Sequence, residues 1–202
     1  MAGRTDAGVH AWEQVASFEL EGEPTLGLVR RLNALLPGEI AVSALERAPD
    51  GFNARRSARS RTYCYRVLAS PTSSPFERGR ALWWPYPLDR AAIDACAAAV
   101  VGTHDFTAFT PTQTEHVRFE RDVLRCEWKD EAPGHTDRVV GLWIEADAFM
   151  RNMVRVLVGT MLEVGGGRRS IEDFRELLAG APRERAGETA PPHGLYLAAV
   201  SS

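Results

Sequence analysis

With 202 residues, 45% of them hydrophobic and 25% charged, the chain is long enough to enclose a site within a globular core. It has no apolar run of roughly eighteen residues and no basic-then-apolar opening, so neither a membrane-spanning helix nor a secretory signal is expected, and the cytoplasm is the expected location. The net charge of −3 announces no nucleic-acid partner, and the three cysteines and five histidines are dispersed without metal-ligand or disulfide spacing.

Residues 2–11, AGRTDAGVHA, form a polar turn punctuated by glycine. Residues 12–20 follow as a predicted strand whose even positions, Trp12, Ala16, Phe18 and Leu20, share one face. A helix is predicted over 26–36 from the spacing of Val29, Leu32, Leu35 and Leu36, and Pro37-Gly38 stops it. Residues 40–45 read as a short strand. Residues 62–68 are a strand with Tyr63, Tyr65 and Val67 on one side.

The Pro- and Ser/Thr-rich stretch 71–79 is the expected linker between a half at 1–70 and a half at 80–202. An alanine-rich helix over 88–101 ends at Gly102. Strands follow at 123–128 and 138–146, then a helix over 149–164 closed by Gly165, Gly166 and Gly167. Ser170 is placed to cap a last helix, and 195–200 is a final apolar strand. The pattern is α+β.

Three features carry chemistry. The helix over 149–164 is apolar nearly all round, yet it holds Arg155, and a buried guanidinium needs a compensating partner. Arg151, Arg155 and Gly159 share one face by helical spacing, which fits either a pocket wall or a structural ion pair. Asp6, between Gly3 and Gly8 and two positions after Arg4, is the candidate partner, although TDAG by itself is also an ordinary Asx turn. Arg55, Arg56, Arg59, Arg61 and Arg66 lie beside Tyr63 and Tyr65, a mixture suited to phosphate contact and base stacking, or to a solvated strand face. His104-Asp105 lacks a nucleophile for a triad and is read as shaping a loop.

Taken together, six segments resemble the TruA family of tRNA pseudouridine synthases: AGRTDAGVHA (2–11), LNALLPGEIAV (32–42), FNARRSARSRTYCYRV (52–67), GTHDFTAF (102–109), ADAFMRNMVRVLVGTMLEVG (146–165) and APPHGLYL (190–197). The resemblance implies a pseudouridine synthase fold of two ferredoxin-like halves, with mixed or antiparallel sheets flanked by helices. Family members place a strand, a helix and a further strand before the GRTD loop; here two residues precede Gly3, so the first β-α-β segment is expected to be largely absent.

The resemblance further implies that Asp6 is the catalytic carboxylate in converting uridine to pseudouridine. Tyr63 is then the active-site tyrosine, and Arg155 pairs with Asp6 across a cavity that admits a uracil. Arg4 helps to hold the target nucleotide out of the stack, while Arg55, Arg59 and Arg61 join Arg4 as substrate-binding residues. No cofactor or metal is expected. The implied partners are the tRNA anticodon stem-loop, at positions 38 to 40, and a second copy in a homodimer. The alternative reading, from the short start, is a catalytically silent tRNA-binding chain.

Overall fold

A computed structural model describes residues 1–113, 117–131 and 139–201. Its centre is a seven-stranded sheet of mixed direction, built from β1 (His10–Ala11), β2 (Ser60–Ala69), β3 (Leu82–Trp84), β4 (Gly102–Asp105), β5 (Glu120–Asp130), β6 (Val139–Ala146) and β7 (Leu195–Ser201). The order is β1-β7-β2-β6-β5-β4, and β3 pairs in parallel with the end of β2. Strands from both sides of residues 71–79 share this sheet. The predicted α+β class is the one observed, with four α-helices among the described residues: α1 (Leu26–Leu35), α2 (Arg90–Val100), α3 (Met153–Gly165) and α4 (Ile171–Leu177).

β2 lies between β7 and β6 with antiparallel partners on both edges. It is buried over most of its length, as a central strand covered on both faces must be. Tyr63, Tyr65 and Val67 enter the main core, where they meet α2, α3 and α4, while Cys64 joins Tyr196 and Ala198 on the other face. The two tyrosines therefore do share a face. All three cysteines are free and buried.

The helix boundaries follow local chemistry. Asp89 caps α2 by accepting from the Ala92 amide at 3.1 Å, and Ser170 caps α4 by accepting from the Asp173 amide at 3.0 Å. α3 is almost wholly buried, as its all-round apolar sequence requires. It begins at Met153, not at residue 149, because Asn152 before it adopts a left-handed φ of 61°. Asn is among the few residues other than glycine that enter this region readily.

Two predicted strands are absent. After β1, the amides of Trp12 and Glu13 both donate to the Leu197 carbonyl, so the chain turns off the ladder and residues 12–20 leave Trp12, Phe18 and Leu20 exposed. Residues 40–45 pair with no strand among the described residues. The Asn33 side chain instead mimics one, accepting from the Val42 amide at 2.7 Å and donating to its carbonyl at 2.9 Å. His104-Asp105 belongs to β4, not to a loop. Arg138, His116 and His135 lie outside the described residues. No helix among those described is long and apolar enough to cross a membrane.

Candidate active site

The opening loop is held from three directions. The Ala2 amide donates to Val15 at 2.8 Å, and the Gln14 side chain donates to Gly3 at 2.9 Å. At the far end β1 pairs in parallel with β7, and the His10 ring stacks on Tyr196 at 4.6 Å. Between these anchors Arg4 and Asp6 are exposed. The turn closes with the Val9 amide donating to the Asp6 main-chain carbonyl, and the Asp6 carboxylate has no hydrogen-bond partner among the described residues. Gly8 takes φ of 81°, and a side chain there would come within 3.1 Å of Pro192. The loop thus rests on the 190–194 segment.

Tyr63 lies beneath this loop. A Cβ on Gly3 would sit 3.4 Å from the Tyr63 hydroxyl, and the ring is buried edge-on against Phe149 at 5.0 Å. Opposite the Thr62–Tyr63 step β7 carries one extra residue, Ala198, and such a bulge re-aims the neighbouring side chains. Burial pushes the Tyr63 phenol above its ordinary value; the Arg61 cation opposes that rise and the Asp6 charge adds to it. The Asp6 carboxylate and the Arg61 guanidinium are therefore each within electrostatic reach of the phenol.

Arg155 departs from the expected arrangement. No ion pair joins it to Asp6 among the described residues. Its Nε donates to the Ala190 carbonyl at 2.6 Å and its Nη1 to the Asn152 Oδ1 at 3.2 Å, while the Ala190 amide donates back to the Arg155 carbonyl at 3.1 Å. Carbonyl oxygens supply the compensation that a carboxylate was expected to give. Nη2 has no partner among the described residues. Gly159, on the same helix face, does not open a pocket beside the charge, because a side chain there would collide with the carbonyl of Glu188.

The 190–194 segment accordingly touches both parts of the site. It meets Gly8 through Pro192 and Arg155 through Ala190, and its Pro191 carbonyl accepts from the Tyr65 hydroxyl at 2.8 Å. Tyr65 is wholly buried and cannot stack on a ligand. Reading residues singly gave no signal for Ala190, Pro191 or Asn152 as neighbours of the site.

The arginine cluster divides. Arg55 and Arg59 are exposed; Arg55 lies on a turn in which Asn53 Oδ1 accepts from the amides of both Arg55 and Arg56 at 3.1 Å, and the Arg59 amide donates to Ser201 at the end of β7. Arg66 instead pairs with Glu77 and Glu131, each at 2.7 Å. Arg61 differs from the expectation of substrate contact, since among the described residues its guanidinium bonds only main-chain carbonyls. Among the described residues no group of three or more His, Cys, Asp or Glu side chains could hold a metal ion.

Residues 96–201 match the model of a family described as tRNA pseudouridine synthase. Proteins named tRNA pseudouridine synthase A resemble nearly the whole chain. That of Bacillus pumilus is 40% identical over 97% of this chain and 78% of its own length. That of Roseiflexus sp. is 45% identical over 99% of this chain and 73% of its own length. The chain belongs to the tRNA pseudouridine synthase A family. The Bacillus subtilis member is likewise 40% identical over 97% of this chain and 78% of its own length. Membership accounts for the pseudouridine synthase fold.

Proposed function

We propose that this protein isomerises uridine to pseudouridine at positions 38 to 40 of the tRNA anticodon stem-loop, with Asp6 as its catalytic carboxylate. Family membership makes it a tRNA uridine isomerase; position and residue roles are the finer reading. The observation that carries it is the opening loop over Tyr63, where Gly3 lies against the phenol and the exposed Asp6 carboxylate has no hydrogen-bond partner among the described residues. The uracil must leave C1′, turn and rejoin through C5, which needs an ionised carboxylate to act on sugar or base. Arg155 keeps Nη2 donors unspent for the substrate or for Asp6 once a nucleotide draws the two sides together.

Extruding the target base costs a few kcal/mol, on the order expected for flipped nucleotides. Stacking on the Tyr63 side and phosphate contacts from the exposed Arg4, Arg55 and Arg59 offset that cost. No cofactor enters this scheme, and a homodimer is the assembly proposed.

A stem-loop carrying tritium at uridine C5 reads the reaction directly, since rejoining through C5 releases that hydrogen to water. Release is expected with the native chain, and Asp6→Asn should lower it by at least about a thousandfold while leaving stem-loop binding in place. Equal release by the variant ends the assignment of Asp6. Tight binding without release by the native chain would establish the silent tRNA-binding alternative.

A further inference from the structure

Arg61 has spent every donor it possesses. Its Nε and Nη2 donate to the Ala2 carbonyl at 3.3 and 3.1 Å, Nη2 also donates to Arg55 at 2.8 Å, and Nη1 donates to Ala58 at 3.3 Å and Asp147 at 3.0 Å. A guanidinium has five N–H groups, so these five bonds leave none for a phosphate. Four carbonyls of three separate chain segments converge on one side chain: the start of the opening loop, the arginine turn, and the connection from β6 to α3.

We infer that Arg61 is a positioning residue that staples these three segments around Tyr63 and sets the rate of the chemical step without contacting RNA. Arg61 and Tyr63 are two apart on β2 and project to the same face, which puts the staple beside the phenol. Its cation also acts on that phenol. Ala2, its principal acceptor, is buried and lies four residues from Asp6, so release of that carbonyl frees the loop at its root. A lysine would carry the same charge but presents a compact ammonium, whose geometry cannot span four fixed carbonyls.

The kinetic half of this inference rests on the uridine-isomerising reading; the staple itself does not. Arg61→Lys and Arg61→Ala are therefore compared with the native chain by three measurements. The first is tritium release under saturating stem-loop, which both variants should slow by about 10- to 100-fold, the scale of a loss caused by slight misplacement. The second is stem-loop affinity against salt, which should keep its magnitude within about twofold and its slope unchanged, whereas a lost phosphate contact lowers that slope by about one. The third is backbone hydrogen exchange over residues 2–15, which should accelerate in Arg61→Lys while the cooperative melting transition persists.

A native chain without release defeats the isomerase reading, and the exchange measurement then still decides the staple. Unchanged exchange in Arg61→Lys overturns the inference. So does restoration of the native rate by lysine, or a fall in affinity with a shallower salt slope, either of which makes Arg61 an RNA contact.

Discussion

Asp6 and Arg61 carry opposite charges at the same site and are used in opposite ways. The carboxylate is exposed with its acceptors unspent, while the guanidinium is consumed by the main chain. Residue types and spacing drew attention to Asp6 and Arg155, and the family resemblance singled out Arg4 and Tyr63. Whether an arginine's donors are free was not legible, because the acceptors of Arg61 come from positions 2, 55, 58 and 147. The Tyr63 phenol is raised above an ordinary value already near 10, so it is neutral at physiological pH and a poor base. Tyr63→Phe, which keeps the ring, should slow tritium release by less than about tenfold, whereas loss of a general base costs about 10²- to 10⁴-fold. A loss in that larger range would transfer proton removal to the hydroxyl.

At the scale of elements, α3 was the most legible, since a stretch apolar on every side has to be central. The strands predicted over 12–20 and 40–45 failed because alternation shows which face could be buried, not whether a neighbouring edge offers hydrogen bonds. At the first, two amides compete for the Leu197 carbonyl; at the second, Asn33 supplies the partner. Glycines in two helices show the same dependence on tertiary context. Gly159 in α3 faces the Glu188 carbonyl at a separation no side chain can share, whereas Gly27 in α1 meets only Thr25 Oγ1, 3.6 Å from where a Cβ would sit. Gly159→Ala should therefore destabilise the protein by about 1–3 kcal/mol, as overpacking does. It should also slow turnover by moving the Ala190 carbonyl off Arg155. Gly27→Ala should be neutral or stabilising by up to about 1 kcal/mol, because alanine lowers the entropy cost of helix formation. Urea midpoints for the two variants check the contrast, and equal shifts would contradict the packing read at Gly159.

Across the whole molecule, the core gathers buried acids that the fold keeps neutral. Thiols ordinarily ionise near 9 and phenols near 10, yet burial pushes Cys64 and Cys126 well above that range, Cys96 up to about 12, and both Tyr63 and Tyr65 upward. Each of these groups holds its proton more tightly in the native state than in the unfolded chain. Their contribution to stability is therefore complete below about pH 9 and declines as pH rises, because the unfolded chain then releases protons that the native state retains. The slope grows by about 1.4 kcal/mol per pH unit for each proton so withheld. Urea unfolding from about pH 8 to 11 should show stability falling with increasing steepness, first as thiols and then as phenols ionise in the unfolded state. Tyr65→Phe removes one such proton and also the hydroxyl's bond to Pro191, so it lowers stability at neutral pH but flattens the alkaline slope. A native profile that stays level across this range would mean that these side chains are hydrated in the folded protein, and the two-faced burial of β2 would have to be abandoned.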